Sequence, residues 1–152
     1  MQHYQQRRGL IEWSNHGVPA YCYRFDVTTT GTPGYLSASH FQEVAFVFYN
    51  LDGLGYARNP FEGAPKSHKA LAKRMSTTWI RFFVGMDPTS GPTSGPKDTR
   101  PVQWPVYDVK AGGGVGKGIV WDAEEVAYTE WDDHRAEGIN WMIENSLSAL
   151  GS

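Results

Sequence analysis

Proton transfer is the chemistry this 152-residue chain is best equipped for, and His40 is the residue that would perform it. It lies in Ser39-His40-Phe41-Gln42-Glu43-Val44-Ala45-Phe46-Val47-Phe48, with a carboxylate three residues on and an apolar run directly behind. An imidazole can take the proton of a serine or thiol nucleophile and later return it to a leaving group. That work needs a side chain placed by rigid backbone yet left reachable. Residues 20–26, Ala-Tyr-Cys-Tyr-Arg-Phe-Asp, form a compact strand-like segment upstream, and residues 27–39, built largely from Thr, Gly, Pro and Ser, form a flexible connection to the histidine. A catalytic histidine also needs a third group to fix its tautomer. Glu43 is near in sequence, but a separation of three on an extended or turning backbone does not by itself aim the carboxylate at the ring. On spacing alone, His40 reads as an ordinary loop or core histidine before it reads as a catalytic one.

The remaining parts of an active site are missing. There is no Gly-x-Ser-x-Gly elbow, and Ser14, Ser37, Ser39, Ser90 and Ser94 lack the strand, sharp turn and helix that present a nucleophile. Ser90-Gly91 and Ser94-Gly95 lie in a flexible connection, which cannot hold an attacking oxygen in place. The carboxylate pairs Glu124-Glu125 and Asp132-Asp133 read as solvated or helix-start charge. His3, His16, His68 and His134 are scattered through polar or turn-rich surroundings without a His-x-His or His-x-x-x-His pair, so no metal site is expected. The run Gly112-Gly113-Gly114-Val115-Gly116-Lys117-Gly118 is not a phosphate loop. Ala111 stands where the first glycine of that motif belongs, Gly118 stands in place of its Ser or Thr, and the dinucleotide spacing meets Lys117 at the third glycine. It reads as a turn before a strand.

Six Trp, eight Tyr and seven Phe argue for a packed interior, because disordered chains are poor in aromatics. A net charge of −2 from 14 basic and 16 acidic residues gives no electrostatic footprint for nucleic acid or an anionic membrane. The single cysteine, Cys22, excludes an internal disulfide and reads as a buried thiol in a strand. The N-terminal Met1-Gln2-His3-Tyr4-Gln5-Gln6-Arg7-Arg8 has no apolar signal-peptide core behind it, and no apolar run approaches the roughly 20 residues that cross a bilayer. The chain is therefore expected to be soluble, with no membrane span and no export address of its own.

The elements expected to position His40 follow from hydrophobic period and turn residues. A short helix is predicted over residues 8–16, stopped by Gly17-Val18-Pro19, and a central strand over 21–26. The β-branched and aromatic run 44–48 predicts a strand by local propensity. Residues 50–65 read as loop. A helix capped by Ser67 and ended by Gly85 follows, with Leu71, Met75, Thr78, Trp79, Phe82 and Phe83 on one side. Residues 87–100 read as an exposed connection, Trp104-Pro105-Val106-Tyr107 as an ordered anchor, and 119–121 as a strand. A final helix is predicted over 133–150, with Ile139, Met142, Ile143 and Leu147 as its apolar stripe.

In this order the residues resemble a known family. The strand, the loop and His40-x-x-Glu43-x-x-Phe46-Val47-Phe48 look like the C-terminal part of the type-B carboxylesterase/lipase family, the cholinesterase-like branch of the α/β-hydrolases, and most like its fungal members. Residues 21–26 are similar to the last central strand before the family's histidine loop. Leu71, Met75, Trp79, Ile80, Phe82, Gly85, Asp87 and Pro88 are similar to the helix and turn after it. Trp104-Pro105-Val106-Tyr107 matches a Trp-Pro-x-Tyr element, and Asp133, Arg135, Ala136, Glu137, Gly138 and Ile139 resemble the family's closing helix. The likeness runs collinearly over about residues 17–143.

The resemblance implies an α/β fold: the C-terminal portion of an α/β-hydrolase sheet with flanking helices, incomplete as a domain and occupying residues 1–152. It implies that His40 is the histidine of a serine esterase triad, that Glu43 is a structural carboxylate, and that no metal or organic cofactor takes part. Phe41 replaces the glycine that usually follows the family's histidine, which puts a bulky ring near the acyl or alcohol pocket. The nucleophile, the oxyanion loop and the triad acid have no counterpart here. The chain alone is thus expected to be an inactive fragment whose parent hydrolyses carboxylic esters, its partner being the N-terminal hydrolase body. The compartment is left open, the family leaning toward secretion. The rival expectation is a non-catalytic cholinesterase-like interaction module.

Overall fold

The computed structural model describes residues 2–92, 94, 100–124 and 126–150. Among these residues, four helices and three strands follow in the order α1 (Gln2–Asn15), β1 (Tyr23–Phe25), α2 (Gln42–Val47), α3 (Lys66–Gly85), β2 (Lys117–Trp121), β3 (Tyr128–Trp131) and α4 (Ala136–Leu150), with one 3-10 turn at Gly34–Leu36. The strands form one sheet in the order β1-β2-β3. Ile119 N–H donates to the Cys22 carbonyl at 3.0 Å and Asp26 N–H to the Trp121 carbonyl at 2.9 Å. Both strands advance together along these bonds, so β1 and β2 are parallel. Asp132 N–H donates to the Gly116 carbonyl at 2.9 Å, the pairing of an antiparallel β2 and β3. The sheet is therefore mixed, with β2 at its centre. The expected central place of residues 21–26 is corrected: β1 is three half-buried residues on an edge of this sheet.

The chain divides into two compact units whose boundaries fall within the strands. The first comprises Met1–Tyr23, Pro105–Ile119 and Thr129–Ser152. Its core joins Leu10, Ala20, Cys22, Tyr107 and Val109, with Ile11 packed against them. The glycine run serves this core by allowing close approach. A Cβ on Gly116 would stand 2.6 Å from the Tyr107 ring, and one on Gly118 would stand 3.0 Å from the Cys22 carbonyl oxygen. Helix α1 begins earlier than predicted and α4 later. Ile139 of α4 is buried and Met142 half-buried, while the side chains of His3, Ile143 and Leu147 lie outside the described residues.

The second unit comprises Arg24–Trp104 and Val120–Tyr128. Its core is the packing of α2 on α3, with Ala45, Phe46, Leu71, Ala72, Met75 and Thr78 buried. The predicted strand over 44–48 is overturned, because residues 42–47 form a helix. A strand would send the neighbours Ala45 and Phe46 to opposite faces, whereas both are fully buried. Phe46 meets Phe25 at 5.0 Å, Phe61 at 4.7 Å and His68 at 6.0 Å between ring centroids. This burial outweighs the weak strand preference of a short apolar run. Ser67 does not cap α3. Pro65 takes the N-cap place without a side-chain bond, and proline suits a helix start that forgoes an N–H. Met86, left-handed at φ 55°, closes the other end. Trp79, Trp104 and Trp121 pack together at 5.2–5.9 Å, which makes Trp104 the anchor expected after the connection. Residues 93 and 95–99 of that connection lie outside the described residues.

Candidate active site

His40 sits in the turn immediately before α2, and its side chain is exposed. The loop leading to it leaves β1, passes buried Val27 and Thr29, and makes the 3-10 turn at Gly34–Leu36. Phe41 then takes a left-handed conformation, φ 75° and ψ −5°, which reverses the chain into α2. The imidazole is thus held on a short turn whose following helix is locked by Ala45 and Phe46. Its ring lies 6.2 Å from that of Phe41, and Phe41 lies 6.0 Å from Tyr56. Tyr56 O–H donates to the Phe41 carbonyl at 3.4 Å. Among the described residues no hydrogen bond joins His40 to Glu43, which stands in the first turn of α2.

The serines do not converge on this ring. Ser14 Oγ accepts the Val109 N–H at 3.1 Å, and Ser90 Oγ donates to the Asp87 carbonyl at 2.8 Å. Among the described residues no serine hydroxyl is hydrogen-bonded to His40, and no three His, Cys, Asp or Glu side chains gather as a metal-binding group. None of the described helices is long and apolar enough to cross a membrane.

Two polar groups passed over by the sequence, Arg7 and His68, are buried. Asp132, read as solvated, receives Arg7 in a two-pronged pair at 2.9 and 2.7 Å and the Tyr107 hydroxyl at 2.9 Å. Arg7 also donates to the His134 carbonyl at 3.0 Å. Burial, then the nearby charge of Asp132, pushes the neighbouring Cys22 thiol up to about 12, so it stays protonated and inert. Glu125, the second member of the other carboxylate pair, lies outside the described residues. His68, expected in polar surroundings, is buried in the first turns of α3 with Nδ1 unpartnered, and burial lowers its pKa. No local motif marked these residues. The available signal was helical spacing, Arg7 standing three residues before Leu10 and His68 three before Leu71.

No family model matches the sequence. The para-nitrobenzyl esterase of Bacillus subtilis (strain 168) is 33% identical over 93 residues, which cover 61% of this chain and 17% of that enzyme. The crystal structure of a Geobacillus stearothermophilus carboxylesterase is similar with a TM-score of 0.58 and 26% identity, over 87% of this chain and 24% of that one. A PNB esterase structure is similar with a TM-score of 0.54 and 27% identity, over 82% of this chain and 22% of that one. The fold is thus that of part of an α/β-hydrolase of the carboxylesterase kind. The chain is homologous, at modest identity, to para-nitrobenzyl esterase and carboxylesterases, and it spans less than a quarter of the length of these relatives.

Proposed function

We propose that this chain is the C-terminal segment of a type-B carboxylic ester hydrolase that works through an acyl-serine intermediate, with His40 as its base and then its acid. The imidazole would take the serine proton as the oxygen attacks the ester carbonyl, and give it to the departing alkoxide. It would then take a proton from water, whose oxygen attacks the acyl group, and return that proton to the serine. The serine, the oxyanion donors and the triad acid would come from the hydrolase body outside these 152 residues. One observation carries the reading: an exposed imidazole on a turn built into a packed helix pair, in a chain homologous to esterases. Exposed Ile80, Phe83 and Val84 on α3 support it as well, being apolar surface suited to cover by further polypeptide.

The test is a graft of residues 17–143 in place of the corresponding segment of the Bacillus subtilis para-nitrobenzyl esterase. The graft is expected to hydrolyse p-nitrophenyl acetate, and His40→Ala within it to lower kcat by about 10³-fold or more. The 152-residue chain alone is expected to give no turnover. A His40→Ala graft as active as its parent overturns the assignment.

A further inference from the structure

The turn that carries His40 is closed twice. Gln42 N–H donates to the Ser39 carbonyl at 3.3 Å, and Ser39 N–H donates back to Gln42 Oε1 at 3.3 Å. His40 and Phe41 are the two residues enclosed. Ser39-x-x-Gln42 has the spacing of a capping box, in which a glutamine side chain reaches back to the backbone N–H three residues earlier. The other end of the same amide is also engaged: Gln42 Nε2 donates to Thr32 Oγ1 at 2.6 Å. Thr32 Oγ1 is 3.1 Å from Thr29 Oγ1, Thr32 N–H donates to the Thr29 carbonyl at 3.1 Å, and Thr29 is only 5% exposed. One side chain therefore ties the buried start of the loop to the residue before His40 and to the head of α2.

We propose that Gln42 is a positioning residue for His40, its amide fixing the direction in which the turn presents the imidazole. The proposal rests on the reading of His40 as the triad base. An exposed ring is not oriented by packing around it, so its direction must come from the backbone that bears it. A base displaced by a fraction of an ångström loses much of its effect. Phe41 adds a second restraint through Tyr56, whose hydroxyl holds the Phe41 carbonyl at 3.4 Å. Neither restraint touches a reacting atom, and both act through the turn.

Limited chymotryptic cleavage of the whole chain at exposed Tyr35 and Leu36 reads the latch without any need for esterase activity. Gln42→Leu removes both side-chain bonds and is expected to raise cleavage there about tenfold, the combined effect of two modest net hydrogen bonds. Gln42→Glu keeps both, since a carboxylate accepts from Ser39 N–H and from the Thr32 hydroxyl, and is expected within about threefold of the parent. Cleavage at exposed Leu54 is the internal control and is expected unchanged. Should Gln42→Leu fail to fold, Thr32→Val removes half of the latch from the loop side and is expected to raise cleavage about threefold or more. Equal cleavage of the Leu and Glu variants, or of Thr32→Val and the parent where Thr32→Val is the comparison, overturns the proposal. In the esterase graft, Gln42→Leu is expected to lower kcat by about 10–100-fold with KM nearly unchanged, and Gln42→Glu to restore it. An inactive parent graft counts against the hydrolase reading, while the cleavage ratio still decides the latch.

Discussion

In the first unit, Arg7 is 3% exposed and gives three bonds, two to Asp132 and one to the His134 carbonyl. In the second unit, the ring of His40 stands exposed, with no hydrogen bond to it among the described residues. Removing a charge from water is costly, so a buried guanidinium persists only where partners replace the water it lost. An exposed imidazole carries no such debt and can meet a partner from another stretch of polypeptide. The contrast separates a polar group that fixes structure from one that is free to react. Gln42 belongs between them, since it spends its hydrogen bonds on holding the turn while leaving the ring open.

The contrast breaks most readily at Asp132. Asp132→Ala leaves Arg7 buried without its carboxylate and is expected to cost about 3–5 kcal/mol, read by urea denaturation. A loss below about 1 kcal/mol would show that the pair is no more structural than a surface one.

The second unit has a buried ionisable group of its own, and pH sharpens the comparison there. His68 has an ordinary pKa of 6.5, lowered in the fold by burial. The unfolded chain therefore binds a proton at a higher pH than the folded one does. This part of the stability is whole above 6.5 and declines as the pH falls from there through the lowered folded value. Denaturation midpoints taken from about pH 7.5 to 5 are expected to fall more steeply for the parent than for His68→Leu, which has no proton to gain there. Parallel curves would remove His68 from the account.

The smallest effect is expected at Phe41, whose φ of 75° disfavours any side chain with a Cβ. Phe41→Gly is expected to be more stable than Phe41→Ala by about 1 kcal/mol, measured by thermal unfolding. Equal stabilities would mean that the turn relaxes out of the left-handed region once the ring is gone.

The sequence made much of the frame legible. The strand before the loop, the long helix ending at Gly85, the aromatic anchor at Trp104 and the last helix all follow from period and punctuation, which are local properties. The family likeness followed from their collinear order, and esterase relatives match over much of the chain. Residues 44–48 misled because a six-residue helix holds too few turns to display a 3.6-residue period, and its β-branched and aromatic content imitates a strand. Gln42 is legible in principle, as the last residue of Ser39-x-x-Gln42, but the apolar run 44–48 behind it imitates a strand and hides the helix it heads.

The amino-acid order by itself determined the helix and strand punctuation, the histidine on its loop, the absence of a nucleophile elbow and the burial of Cys22 within a strand-like run. Only the tertiary structure decided that residues 42–47 coil rather than extend, that Asp132 is bound by Arg7 across 125 residues, and that β1 lies at a sheet edge. The reason is physical. Local backbone preferences are readable from neighbours in the chain, whereas the cost of burying a charge or an aromatic ring is set by distant residues that fold onto it.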